Sequence, residues 1–584
     1  MSVQRIVIIG AVALGPKVAC RLKRLKPDWD VLMIDQDEHI SYGGCGIPYF
    51  VSGEISDVRE LMSTSFHMLR SPEFFETAKG VRVRNRTRAL AIDRANRRVA
   101  VRALPSGQEE EIPYDTLVLA TGSRPNRLPI AGIDLPGVMS VSNLHQAMAI
   151  KDQIAKGEVD RAVIIGAGAI GCEMAEALND LWGVETTLVE IAPQVLPGIL
   201  DSDLARMVLH HLEEHGVRVH LNESVEAITA AEAEAEGALR VKTGSRVLDA
   251  DLVITAVGVR PNSALARDAG LLVSPRGGIV VDGRLRTSDP AIYAGGDCIE
   301  ITHRLTGEPV FFPQGSLANR QGRIIGTNIA GGHATFAGTV GAFTVKIFDL
   351  AVAAAGLTAA RARAEGFDAV HALVVQADRA HFYPTQDLMT LLITVDRKTR
   401  RLLGVQGLSR NGDALNGRIN SIAALLPYKA TIEDLSNLEL AYSPPFSSAL
   451  DIVNALGNTA ENILDGFNAP IDPEDFERCF LGADPDPEVL CLDVRGPQNA
   501  APFVDRFGDR WVNIPQETLG ERLAEVPKDK RLVLVCNSGV RSYEALLQLC
   551  HAGITNAANL QGGVAAIKQA GLVDLSEPDQ DGDS

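Results

Sequence analysis

The chain has 584 residues and a formal net charge of −18, and length alone implies roughly three to five domains rather than one core. The acidic balance, with no Lys/Arg cluster to overturn it locally, argues against nucleic acid or an anionic membrane as a partner. No run of about 18 uninterrupted apolar residues occurs, so no membrane span is expected. Eight cysteines without framework spacing or CxxC pairs point to catalytic thiols in a reducing cytoplasm.

Met1 to Gly15 is apolar but lacks the cationic start and cleavage site of a signal peptide. It reads as a first strand, Arg5-Ile6-Val7-Ile8-Ile9, running into Gly10-Ala11-Val12-Ala13-Leu14-Gly15. Apolar strand, glycine turn and helix is the start of a dinucleotide-binding βαβ unit, although Val12 replaces the second glycine. Pro16 suits a first helical turn whose amides can hold phosphate. Asp35, closing the strand Val31 to Ile34, is placed to bind an adenosine ribose. Cys45 follows in Ser41-Tyr42-Gly43-Gly44-Cys45-Gly46-Ile47-Pro48-Tyr49, where a flavin would stack. Glycines on both sides let backbone approach a flat ring, and Pro48 stiffens what comes next.

The opening design repeats. Arg161-Ala162-Val163-Ile164-Ile165 leads into a complete Gly166-Ala167-Gly168-Ala169-Ile170-Gly171, with Glu190 ending the following strand. Gly166 makes the turn, Gly168 admits a pyrophosphate and Gly171 lets helix pack on strand. Glu190 would accept from a ribose and repel a 2′-phosphate, which favours NADH over NADPH. Ala120-Thr121-Gly122-Ser123-Arg124-Pro125 is likewise echoed by Ala256-Val257-Gly258-Val259-Arg260-Pro261. Thr287 to Asp297 reads as a strand ending in an exposed acid, with Asp297 placed to bond the ribityl chain of FAD. The candidate FAD set is therefore Gly10, Gly15, Asp35, Thr121, Gly122 and Asp297. The NAD set is Gly166, Gly168, Gly171, Glu190 and Gly258.

Near the C-terminus, Gly466 to Pro473 reads as a linker. The buried strand Arg531 to Val535 then runs into Cys536-Asn537-Ser538-Gly539-Val540-Arg541, with a helix expected from Ser542. Such a loop turns several amides inward, and the helix dipole and Arg541 add positive potential that stabilises a thiolate or persulfide.

Residues 1 to 460 resemble the pyridine nucleotide-disulfide oxidoreductases. The single Cys45, with Ile40 and Phe50 where a CxxxxC partner would stand, resembles the group of coenzyme A-disulfide reductases, NADH oxidases and persulfide reductases. Coenzyme A is a ligand of some members, and Gly44 replaces the asparagine that helps to hold it. Phe343 to Asn462 resembles the family's dimerisation domain. Tyr442-Ser443-Pro444-Pro445-Phe446 matches a signature whose tyrosine reaches the partner's active site. His381-Phe382-Tyr383-Pro384 matches a double-tyrosine motif with Phe382 in the first place. The region from 472 to 576 resembles a rhodanese domain through Leu492-Asp493-Val494-Arg495, the Cys536 loop and Asn559-Leu560-Gln561-Gly562-Gly563, with Phe507 to Trp511 replacing a usual segment.

The expected fold is α/β. An FAD-binding domain (1–150 and 255–335) and an NAD-binding domain (151–254), both Rossmann-like, precede an α+β dimerisation domain (336–465), a rhodanese domain (472–576) and an acidic tail (577–584). The resemblance implies a cytoplasmic homodimer using FAD and NADH to reduce a small persulfide, polysulfide or coenzyme A-type disulfide. Cys45, Cys536, Arg541, Tyr442 and Tyr383 are the catalytic candidates. The alternatives are an NADH oxidase that reduces oxygen through a Cys45 sulfenic acid and, in another class, a sulfur-carrying or redox-sensing flavoprotein.

Overall fold

The computed structural model describes residues 3–231 and 237–573, so the expected acidic tail lies outside the described residues. Contacts divide the chain into two units, Met1–Ile191 with Glu223–Thr339, and Ala192–Asn222 with Val340–Ser584. Among the described residues no helix is long and apolar enough to cross a membrane.

In the first unit the duplication read from the sequence becomes two similar assemblies. One parallel sheet runs in the order Ile292–Ala294, Thr116–Leu119, Arg5–Ile9, Asp30–Ile34, Arg82–Arg84. The other contains Glu185–Val189, Arg161–Ile165, Leu252–Thr255 and Val138–Ser140, again parallel. Each assembly also carries a three-stranded antiparallel sheet, Thr87–Asp93 to Glu109–Pro113 in one and Val225–Ala230 to Val247–Ala250 in the other. Continuous apolar runs such as Ile6, Val7 and Ile8 are fully buried, as strands covered on both faces require. The two repeated connectors pair with each other, Ser123–Pro125 antiparallel to Val259–Pro261.

In the second unit a five-stranded antiparallel sheet runs Phe343–Ile347, Leu350–Gly356, Leu402–Ser409, Leu388–Asp396, Ala369–Ala377. It is followed by a parallel sheet ordered Pro470–Ile471, Ala557–Leu560, Arg531–Val535, Val489–Asp493, Trp511–Asn513. Apolar clusters around Leu534 and around Val533 cover its two faces. The presumed linker is thus partly a strand. Pro470 and Ile471 pair with Asn559 and Leu560, and Asn559 N–H donates to Ala469 O at 2.7 Å; proline is tolerated because this is an edge. The segment that departs from the rhodanese pattern folds as the end of helix Pro497–Phe507, a short turn, and a strand opened by the buried Trp511.

That sheet rests on a buried charge. Asp493, fully enclosed, accepts from Arg495 Nε at 2.9 Å, Arg495 Nη2 at 2.6 Å and Trp511 Nε1 at 3.0 Å. Removing the carboxylate would strand the enclosed guanidinium. Asp493→Ala is therefore expected to cost about 3–5 kcal/mol. Urea unfolding followed by Trp511 fluorescence, with Trp29 and Trp182 replaced by Phe in both proteins, measures it; an unchanged midpoint would contradict the assignment.

Candidate functional site

Glycine geometry builds the two nucleotide loops. A Cβ on Gly10 would lie 2.1 Å from Ala120 O, and one on Gly15 2.0 Å from Gly10 O. In the second copy the matching distances are 2.7 Å from Gly166 to Ala256 O and 1.9 Å from Gly171 to Gly166 O. Gly168 instead faces open space, with nothing within 4 Å of its would-be Cβ, where a pyrophosphate needs room. The helices that follow, Leu14–Leu25 and Ala169–Asn179, have no side-chain cap on their first amides. Uncapped N–H groups beside glycine are the donor set that a phosphate satisfies, so both loops fit dinucleotide cofactors. The acid of each copy closes its loop: Asp35 Oδ2 accepts from Ala11 N–H, and Glu190 Oε2 from Ala167 N–H, both at 2.7 Å. Thr121 Oγ1 donates to Asn262 O at 2.6 Å. Gly122 O accepts from Asn262 N–H and Gly258 O from Asn126 N–H, so Thr121, Gly122 and Gly258 fix the crossing of the two connectors. Leu14, an unusual residue in such a loop, is buried and would stand 2.4 Å from a Cβ on Gly295.

Asp297 departs from its expected exposure. It is half-buried because it accepts from Ser123 Oγ at 3.2 Å and from the Gln314 backbone. Burial pushes its carboxyl above the usual range, against those two hydrogen bonds.

Cys45 sits in a one-turn 3₁₀ helix, Gly44–Gly46, leading into helix Ile47–Ser52. Trp182 Nε1 donates to Val51 O at 2.8 Å, and Lys151 lies 4.1 Å over the Phe50 ring, so this short helix is held on two sides. The sulfur is accessible and lies 3.9 Å from where a Cβ on Gly315 would stand. Gly315 opens the 15-residue helix Gly315–Ile329. Partial burial, then Glu173 and Asp297, push the thiol up, against the weaker pull of the Gly315 amide toward thiolate. Glu173 was missed by sequence reasoning. It stands one turn into helix Ala169–Asn179, and burial with the neighbouring Glu176 raises its carboxyl to about 7. Its position two residues after Gly171, on the turn that follows the loop, was the available signal.

Cys536 is buried, and its sulfur accepts from Gly539 N–H at 3.1 Å and Ser542 Oγ–H at 3.2 Å. The helix begins at Val540, two residues earlier than expected, which puts Arg541 on its first turn. The Asn559 to Gly563 motif shapes this loop. Asn559 Nδ2 donates to Gly539 O at 3.1 Å, and Val564 N–H to Cys536 O at 2.9 Å. A Cβ on Gly563 would stand 2.4 Å from Cys536 O. Ser542, Asn559 and Gly563 are thus positioning residues that no motif reading singled out by role.

Tyr383 and Tyr442 come from neighbouring segments of the second unit. Ala380 N–H donates to Pro444 O at 3.3 Å, and Arg418 Nη2 to both Asp378 O and Phe446 O. Tyr442, Phe446 and Phe382 are all exposed there.

The family profile described as pyridine nucleotide-disulphide oxidoreductase matches residues 4–322. The chain belongs to that family. Its dimerisation-domain profile matches residues 342–453, and the rhodanese-like profile 485–570. Among solved structures, the chain is similar to the NAD-dependent persulfide reductase from A. fulgidus. The two share 37% identity at a TM-score of 0.90, over 96% of this chain and 99% of that one. It is also similar to reduced Bacillus anthracis CoADR-RHD, at 32% identity and a TM-score of 0.87 over 98% of each chain. The NAD(P)H sulfur oxidoreductase (CoA-dependent) of Pyrococcus furiosus is 35% identical over 451 residues, 77% of this chain and 98% of that protein.

The opposing influences on Cys45 give a titration test. Replacing the anionic neighbour with a neutral one, Glu173→Gln, removes a group that disfavours thiolate. The midpoint of Cys45 alkylation against pH is therefore expected to move to lower pH; a midpoint that stays put or rises would contradict this electrostatic coupling.

Proposed function

We propose that this chain is an FAD-dependent, NADH-oxidising reductase of persulfide, polysulfide or a coenzyme A-type disulfide, acting through Cys45 and fed by Cys536. One observation carries the reading. An exposed, unpaired cysteine lies with its sulfur against the first residue of a long helix, inside the unit that holds both dinucleotide loops. Bound FAD supplies a two-electron relay from NADH to sulfur. The first glycine loop and Asp35 would hold its adenosine diphosphate, and Asp297 its ribityl chain. The Gly168 loop and Glu190 would hold NADH, with NADPH disfavoured by the carboxylate.

For a persulfide substrate, Cys45 thiolate attacks the outer sulfur. A Cys45 persulfide forms and the substrate leaves as its thiolate. Reductive cleavage of the new S–S bond returns Cys45 thiolate and releases hydrosulfide. The amide of Gly315 favours the thiolate at both ends of the cycle, and the Glu173 carboxyl, raised to about 7, opposes it when ionised. With a coenzyme A-type disulfide the same attack yields a mixed disulfide, cleaved in the same way. Cys536 gathers sulfane sulfur as its own persulfide, held by Gly539 N–H, Ser542 Oγ–H and the positive first turn carrying Arg541. Carrying both sulfur sites on one chain raises their effective concentration.

The working molecule is a homodimer in the cytoplasm. The exposed Tyr442, Phe446 and Phe382 form a surface suited to a second copy, with Tyr442 and Tyr383 reaching the partner's site. All eight cysteines are unpaired, as a reducing compartment keeps them.

The test separates the two sulfurs. Cys45→Ser is expected to abolish NADH oxidation with glutathione persulfide and with coenzyme A disulfide. Cys536→Ser should keep the coenzyme A disulfide reaction and lose transfer from a sulfane donor such as thiosulfate. Full activity of the Cys45 variant would end the proposal.

A further inference from the structure

A second cluster of reactive side chains lies in the second unit and takes no part in the sulfur chemistry. Helix Ser202–Glu214 carries His211 in its last turn and His215 at its C-cap, four residues apart and on one face. Their ring centroids are 4.4 Å apart. The tight turn between strands Phe343–Ile347 and Leu350–Gly356 delivers Asp349 to the same place. His211 Nε2 lies 3.2 Å, and His215 Nε2 3.9 Å, from one oxygen, Asp349 Oδ1. Phe348 stacks on the His215 ring at 4.2 Å.

The proton position on His215 follows from its other ring nitrogen. His215 Nδ1 is 2.8 Å from His211 O, and a carbonyl only accepts, so Nδ1 carries the hydrogen. His211 Nε2 makes no hydrogen bond. Nε2 of each ring lies on the side of the same carboxylate oxygen. His211 is only 6% exposed, so water does not reach its unpartnered Nε2.

We propose that His211, His215 and Asp349 form a binding site for a divalent first-row cation, with Zn²⁺ the best match. Two imidazoles and one carboxylate are a zinc donor set, and bonds of about 2.0–2.1 Å place tetrahedral ligand atoms about 3.3 Å apart, close to the separations seen. The three ligand atoms already lie within 4.8 Å of one another. The surroundings supply what such a site needs beyond its ligands. His211 O fixes the His215 tautomer, and Arg410 Nε holds the other carboxylate oxygen, Oδ2, at 2.9 Å. Arg410 is largely exposed, so solvent screens its charge from the ion. His215 and Asp349 reach solvent, which leaves an entry path and a fourth position for water. The bound ion would staple the helix to the hairpin.

The experiment uses the untagged, full-length holoprotein, stripped with a chelator and then dialysed against Zn²⁺, with metal content read by elemental analysis. A parallel titration with Co²⁺ reports ligand type by its absorption. One equivalent of Zn²⁺ per chain is expected, with a tetrahedral Co²⁺ spectrum free of thiolate charge transfer. His215→Ala and Asp349→Asn should each weaken binding by about tenfold or more, while His371→Ala, at a separate His/Asp cluster, leaves it unchanged. Asp349→Asn alters only charge on an exposed turn, so it remains informative if the histidine variant folds poorly. Uptake below one equivalent, uptake unaffected by both variants, or a thiolate-ligated Co²⁺ spectrum would each overturn the site.

Discussion

The placing of the Cys45 thiol beside the first amide of helix Gly315–Ile329, among groups that pull its charge in opposite directions, is the constraint the rest of the structure serves. That amide and its helix favour negative charge on the sulfur, while desolvation and the carboxylates of Glu173 and Asp297 oppose it. A thiol held between these influences is neither an inert core cysteine nor a permanently ionised one. Its charge depends on what occupies the space beside it and on whether Glu173 carries a proton. The remainder of the first unit serves to hold those groups at fixed positions.

The holding is done mostly by backbone. Strand and helix approach so closely at Gly10, Gly15, Gly166 and Gly171 that any side chain would strike a carbonyl. The paired connectors then lock one half of the duplication to the other through Thr121, Gly122, Asn126, Gly258 and Asn262. Asp35 and Glu190 perform the same task in the two halves, closing each loop from the end of the neighbouring strand. The second unit uses the same economy at Cys536, where Gly539 and Gly563 let backbone crowd around a sulfur and Asn559 ties the loop to the next strand.

Most of this was legible because it rests on glycine spacing, strand runs and short-range repeats, which one sequence displays directly. The two glycine loops, the lone cysteine and the C-terminal CxxxxR loop all belong to that class. Less legible were features set by long-range packing. Glu173 matters through its proximity to a cysteine 128 positions earlier in the chain. Leu14 is accommodated because Gly295 has no side chain. Asp297 looked exposed from its turn-like neighbours and is half-buried because Ser123 and Gln314 reach it. Pro470 and Ile471 looked like linker, since proline and glycine surround them, yet an edge position lets them join the sheet. The His211/His215 pair has helical spacing, but only the fold brings Asp349 to it.

Anaerobic titration of the FAD-loaded protein with NADH, followed by absorbance, is the most direct measurement of whether Cys45 shares electrons with the cofactor. With Cys45 first converted to its mixed disulfide by coenzyme A disulfide, two electrons from NADH return the thiolate and leave FAD oxidised, so a broad long-wavelength band is expected at that stage and should be missing from Cys45→Ser. Identical spectra for the two proteins would contradict a sulfur in electronic contact with the flavin.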